Sequence, residues 1–212
     1  MAGDHSVEAG IDSDMLPSSA HAMFPLMLDV TAVPIFLIGG SAGLEARFDA
    51  MVAYGAKDVH VFSAAPDGGF AARVGDQLQR RWPDDADFQR VRPRLTFIAD
   101  VDDGPASSWR DMSHKVGGLV HVQDRIPLCD FHMPAILRRG RLQVTVSTDG
   151  TAPGLARILR DYLAARVFGA EWSARVEEMS TMRQRWKQDG LPLPKLSNAI
   201  HDFLRTRGWL DT

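Results

Sequence analysis

Four short, mostly apolar runs alternate along the first 122 residues with stretches whose apolar residues recur every three or four positions, and this alternation predicts an α/β fold. Pro34-Ile35-Phe36-Leu37-Ile38, Val59-His60-Val61-Phe62, Leu95-Thr96-Phe97-Ile98-Ala99 and Leu119-Val120-His121-Val122 read as strands covered on both faces in a parallel sheet. Between them, Leu44, Phe48, Met51 and Val52 mark one helical face, and Phe70, Val74 and Leu78 a second over residues 70–80. Trp109, Met112 and Val116 mark a third over residues 107–116, stopped by Gly117-Gly118, while residues 82–87 read as a Pro/Asp connector. Leu142 to Val146 then alternates apolar and polar, which suits a strand with an exposed or intermolecular partner. Three further helices follow, carried by Leu155, Ile158, Leu159, Tyr162 and Leu163, by Trp172, Val176, Met179, Met182 and Trp186, and by Leu196, Ile200, Phe203 and Leu204. Their aromatics and methionines read as core residues. Residues 1–22 are polar, rich in Ser and Asp, and contain no Lys or Arg, so a disordered leader is expected rather than a signal peptide or mitochondrial presequence.

The chemistry begins where the first strand empties into Gly39-Gly40-Ser41-Ala42-Gly43 and then into a helix. Strand, glycine turn, helix and strand make the opening unit of a dinucleotide-binding fold: glycines admit a pyrophosphate, and the helix start offers N–H donors and partial positive charge. A tight turn that holds no nucleotide is the competing reading. The second strand ends at Ser63-Ala64-Ala65-Pro66 without the acidic residue that commonly grips the adenosine ribose, although Asp67 lies just beyond. The third ends in Asp100, Asp102 and Asp103, with Pro105 in a good first-turn position, so helix capping is favoured over cation binding. The fourth delivers Asp124 to the carboxyl edge of the sheet, where open α/β proteins place ligands.

Composition narrows the field. A net charge of -3 over 212 residues gives no general attraction to nucleic acid or anionic membrane, and no apolar run reaches the roughly 20 residues of a membrane span. The lone Cys129 excludes an internal disulfide and a cysteine metal cluster within one chain, and it fits a reducing cytoplasm. No metal-ligand constellation is visible.

Several words between His121 and Pro153 carry a resemblance to the N-terminal module of siroheme synthases, the family of NAD-dependent precorrin-2 dehydrogenases that often double as sirohydrochlorin ferrochelatases. The family's Asn-Val-Val-Asp corresponds to His121-Val122-Gln123-Asp124, its Leu-Cys-Asp-Phe-x-x-Pro to Leu128 through Pro134, and its Arg-Gly turn to Arg139-Gly140. Its Ser-Ser/Thr-Gly-Gly-x-Ser-Pro corresponds to Ser147-Thr148-Asp149-Gly150-Thr151-Ala152-Pro153, and its usual opening to Met23 through Asp29. The family's Gly-Gly-Gly-x-Val-Ala becomes Gly39-Gly40-Ser41-Ala42-Gly43-Leu44, and its Ala-Thr-Asp-Asp becomes Asp100-Val101-Asp102-Asp103.

The resemblance implies a Rossmann-like NAD-binding domain over residues 23–130, a dimerisation region over 131–160 and a C-terminal helical domain over 161–212. It implies NAD held by Gly39, Gly40, Ser41, Ala42, Gly43, Ala64 and Ala65, and Asp124 as catalytic acid/base. Arg138, Arg139, Ser147, Thr148, Gly150 and Thr151 are expected to meet the carboxylates of the tetrapyrrole, precorrin-2 or sirohydrochlorin. A cytoplasmic homodimer with an active site shared between subunits is expected, with ferrous iron as a second substrate if the chain also chelates. Because no methyltransferase sequence follows, a separate uroporphyrinogen methyltransferase is expected to supply precorrin-2. The dehydrogenase reading requires a nucleotide over the Gly39 to Gly43 bend with its reactive ring turned toward Asp124. The alternative is a non-catalytic tetrapyrrole-binding or regulatory relative with a degenerate NAD site, motivated by Ser41, Leu44 and the altered acidic loop.

Overall fold

The computed structural model describes residues 23–210, so the expected leader lies outside the described residues. The chain divides into two compact units between His132 and Met133.

The first unit is built on β1 (Ile35–Gly39), all of it buried, followed by α1 (Ser41–Ala53), β2 (Val59–Phe62), α2 (Gly68–Val74) and β3 (Leu78–Gln79). The chain then returns through α3 (Asp85–Val91), β4 (Leu95–Ala99), α4 (Asp103–Lys115) and β5 (Leu119–Val122). All five strands are parallel in the order β3-β2-β1-β4-β5. The order reverses between β1 and β4, which makes the carboxyl edge at Gly39 and Ala99 the place where helices diverge and a crevice can form. Phe36, Ile38, Phe62, Phe88, Ile98, Trp109 and Val120 form the core on one face of the sheet.

Two local expectations change. The helix expected over residues 70–80 stops at Val74, because Gly75 takes a positive φ of 60°, and Leu78-Gln79 becomes an edge strand beside Val61-Phe62. The expected connector over residues 82–87 holds the first turn of α3, started by a reciprocal capping box between Asp84 and Asp87. Asp87 is buried, yet Arg81 holds both its oxygens at 2.6 and 2.8 Å and Arg90 adds a bond of 2.7 Å. The Arg81 hydrogen bonds therefore hold its carboxyl far below the usual carboxylate range, against the opposing effect of burial.

The second unit opens with β6 (Ala135–Arg139) and β7 (Leu142–Val146), an antiparallel hairpin turned at Gly140, where φ is 57°. Helices α5 (Pro153–Arg166), α6 (Trp172–Gln188) and α7 (Leu193–Thr206) follow. The exposed-strand expectation for Leu142–Val146 thus finds an intramolecular partner in β6, which periodicity alone did not reveal. Trp172 is buried and donates its ring N–H to the Val167 carbonyl at 2.9 Å, and Trp186 meets Phe203 edge to face. Helix α5 departs from the core reading: Leu155, Ile158, Leu159 and Tyr162 form an exposed apolar stripe, with Ile158 66% and Tyr162 59% accessible.

Two expected outcomes follow. Gly39→Ala places a methyl 1.8 Å from the Ala99 carbonyl oxygen at a φ of 151°, so chemical denaturation should show a loss of about 4 kcal/mol or more, or no folded protein. Asp87→Ala removes a buried carboxylate that accepts hydrogen bonds from Arg81, Arg90 and the Asp84 N–H, and should lower stability by about 1 to 3 kcal/mol at neutral pH. Because the Asp87 carboxyl is lowered on folding, its contribution is present above about pH 4 and disappears as pH falls further; wild type and variant should converge there.

Candidate active site

At the carboxyl edge of the sheet, the glycine bend is shaped first by its own chain. A Cβ on Gly39 would strike the Ala99 carbonyl, and Gly40 donates its N–H to that same oxygen at 3.2 Å. Gly40 is the N-cap of α1, and a Cβ there would come within 2.9 Å of the Asp100 Cβ. Gly43, third residue of α1, donates its N–H to Asp100 Oδ2 at 2.6 Å, and a Cβ on it would also meet Ala99 Cβ and Gln123 Oε1. A side chain therefore stands in the bend where the nucleotide was expected: a carboxylate sits on one of the helix-start amides that a pyrophosphate would use. Ser41 Oγ accepts the Asp67 N–H at 2.9 Å, while Asp67 accepts the Phe70 N–H and caps α2. That backbone hydrogen bond holds the Asp67 carboxyl below its ordinary value, so Asp67 serves as a helix cap. Ala64 and Ala65 are exposed at the end of β2.

Asp124 follows β5 by two residues, is exposed, and is held in the left-handed region at φ 59°. Gln123 Nε2 donates to its Oδ2 at 3.4 Å. Behind it, His121 lies between the Phe131 carbonyl, 3.1 Å from Nδ1, and Arg47, whose Nη2 is 3.3 Å from Nε2. Because a guanidinium only donates, Nε2 accepts and Nδ1 carries the proton. Burial pushes the imidazole below its ordinary value and likewise lowers that of Arg47, which Asp124 partly restores. His121 is thus a neutral, satisfied strand histidine. Arg47 is the residue sequence reasoning missed; it lies one helical turn after Gly43, but helix periodicity does not distinguish it from an ordinary surface arginine.

The Leu-Cys-Asp-Phe word is a brace for this edge. Cys129 Sγ accepts the Val122 N–H at 3.3 Å and donates to the Val122 carbonyl at 3.1 Å or that of Arg125 at 3.3 Å, and burial raises its thiol. Asp130 accepts the Val120 N–H at 2.8 Å and meets His114 Nε2 at 2.7 Å, while Phe131 packs edge to face on Phe97. His132 Nδ1 is buried without a hydrogen-bond partner among the described residues. The acidic loop does cap a helix, but across the fold: Asp100 serves α1, whereas Asp102 makes no side-chain cap on α4 and Asp103 pairs with Arg125 at 2.5 Å. Among the described residues, no group of three or more His, Cys, Asp or Glu side chains is arranged to hold a metal ion.

In the second unit, Arg138 Nε donates to the Gly140 carbonyl at 3.2 Å, and Arg139 Nε to that of Phe168 at 3.0 Å. Arg141 pairs with Glu177 at 3.2 Å, so these cations brace the hairpin. Ser147 Oγ accepts the Asp149 N–H, and Thr151 Oγ1 donates to the Thr148 carbonyl at 2.6 Å. The N-cap of α5 is Ala152, with no side-chain cap, and Thr148 Oγ1 receives the Ala152 N–H at 3.1 Å.

Comparison with known proteins agrees with this architecture. A family model described as sirohaem biosynthesis protein, central, matches residues 139–166. Siroheme synthase 1 of Serratia proteamaculans is 27% identical over 191 residues, spanning 89% of this chain and 37% of that protein. The siroheme synthase of Actinobacillus succinogenes is 31% identical over 147 residues, 67% of this chain and 30% of that protein. The chain therefore corresponds to about a third of the length of these relatives. A solved structure of SirC, precorrin-2 dehydrogenase, superposes with a TM-score of 0.65 at 18% identity, covering 86% of this chain and 89% of that one, which establishes a shared fold. With 31% identity to a siroheme synthase over two thirds of this chain and the family model on residues 139–166, the chain belongs to the siroheme synthase N-terminal module family.

Proposed function

We propose that this chain oxidises precorrin-2 to sirohydrochlorin in siroheme biosynthesis, with NAD as hydride acceptor and Asp124 as acid/base. The observation that carries this reading is the convergence of a glycine bend and an exposed carboxylate at one sheet edge, beside the β1/β4 switch point. The backbone fits a dinucleotide: Gly39 turns the chain tightly, and α1 begins there with the Ser41 and Ala42 amides outside its internal hydrogen-bond ladder. One side chain, Asp100, stands in that cradle and has to move for a pyrophosphate to enter. NAD, when bound, supplies a nicotinamide that accepts hydride. The protein's share is to exchange the accompanying proton at the Asp124 carboxylate, which Gln123 Nε2 steadies.

Arg138 and Arg139, with Ser147, Thr148, Gly150 and Thr151, supply guanidinium, hydroxyl and amide donors of the kind that bind substrate carboxylates. The apolar stripe of α5 supports a homodimer, because a row of exposed Leu155, Ile158, Leu159 and Tyr162 is stabilised by burial against a second copy. In the same reading the protein is cytoplasmic, a separate methyltransferase provides precorrin-2, and ferrous iron is a further substrate if the Asp124 carboxylate also takes pyrrole protons during chelation. Among the described residues, no helix is long and apolar enough to cross a membrane. The Asp100 contact favours one other reading, a tetrapyrrole-binding relative without dehydrogenase activity.

Anaerobic mixing of protein, precorrin-2 and NAD should raise the absorbance of reduced nicotinamide, and Asp124→Asn should lower kcat by about a hundredfold or more with the fold intact. No reduction by wild type, alongside tetrapyrrole binding, would select the second reading. Ile158→Asp should convert the dimer to monomer by light scattering. A wild-type protein that is already monomeric would refute the shared-site assembly.

A further inference from the structure

We infer that Asp100 is a built-in competitor for the pyrophosphate of the dinucleotide, so that the cofactor gains the helix start only by displacing an internal carboxylate. The inference rests on the dinucleotide reading proposed above and refines it. The Asp100 oxygen lies 2.6 Å from the Gly43 N–H, the length of a strong charge-assisted hydrogen bond, at the third residue of a 13-residue helix. That amide has no partner inside the helix, and the helix dipole adds to its pull on an anion. Asp100 directly follows Ala99, whose backbone pairs with Gly39, and is itself in the left-handed region at φ 53°. The carboxylate is thereby anchored beside the bend through a short, constrained piece of main chain. No ion pair neutralises it among the described residues: Arg125, which serves the same loop, pairs with Asp103.

A pyrophosphate approaching Ser41 to Gly43 therefore meets a negative charge that already uses one of its donors. Two effects oppose binding, the broken Asp100 to Gly43 hydrogen bond and the repulsion between like charges, and both disappear when the side chain is removed. A Cβ built on Gly40 would come within 2.9 Å of Asp100 Cβ, so the side chain lies against the same bend. The carboxylate also explains how α1 keeps a cap although Gly40, its N-cap residue, has no side chain to provide one.

Two substitutions separate charge from bulk without straining the backbone. Asp100→Gly tolerates the left-handed conformation and clears the cradle; Asp100→Asn also tolerates it, keeps an acceptor for Gly43 and removes the charge. Calorimetric titration with NAD, on proteins whose circular dichroism matches wild type, should show Asp100→Gly binding about tenfold to a hundredfold more tightly, with Asp100→Asn between the two. Without ligand, Asp100→Gly should melt a few degrees lower, since α1 loses its cap, and NAD should raise its melting temperature more than that of wild type. Measurable and equal NAD affinity in all three proteins would overturn the competitor role while leaving the dinucleotide site standing. Absence of NAD binding in all three would overturn the dinucleotide site itself, and the inference with it.

Discussion

The close approach of β1 and β4 at their carboxyl ends governs the rest of the active edge. Gly39 and Ala99 are register partners, and the Ala99 carbonyl occupies the space where a side chain on Gly39 would stand. Only glycine permits that contact together with a φ of 151°. The same contact brings residue 100 over the start of α1 and sets the direction in which β1 hands the chain to its helix. A side chain at position 39 would force the two central strands apart, and with them the switch point on which the proposed site depends.

From this constraint follows a division of labour among residues that a motif search would group together. Cys129, Asp130 and Phe131 bond to or pack against β5 and its neighbours, so this part of the family word holds the edge in shape. His121 is similarly consumed, with one ring nitrogen on a carbonyl and the other facing Arg47. Asp124, by contrast, leaves the strand exposed, contacted by the Gln123 amide. A carboxylate that Arg47 influences only through its field, yet one fixed by its backbone, suits proton exchange with a bound substrate, whereas Asp87, clasped by two arginines, suits only structure. The second unit has a comparable contrast: its arginines are tied to carbonyls and a glutamate, while the apolar face of α5 is left uncovered within one chain.

The sequence by itself determined the α/β class, the four principal strands and three of the four helices between them. Each depends on short-range periodicity and on covering both faces of a parallel sheet, and these leave continuous apolar runs. It also determined the family, because Leu128 to Pro134 and Ser147 to Pro153 are local words that survive without knowledge of their neighbours. It did not disclose β3, a two-residue edge strand, or α3, whose seven residues hold too few turns to show a period. Nor did it separate the exposed stripe of α5 from a buried one, since the spacing is the same whether the covering surface is this chain or another.

Tertiary structure alone decided what the glycines are for and where the acidic loop points. Asp100 is 57 residues from Gly43, and the pairing of β1 with β4 brings their atoms to 2.6 Å, so no local rule could assign the aspartate to that helix rather than to the next one. Likewise, Arg47 and His121 meet across 74 residues because α1 packs beside the sheet, and burial there makes the histidine neutral. Propensity and pattern act over a few residues, while the chemistry of this edge depends on long-range contacts that exist only once the sheet is assembled.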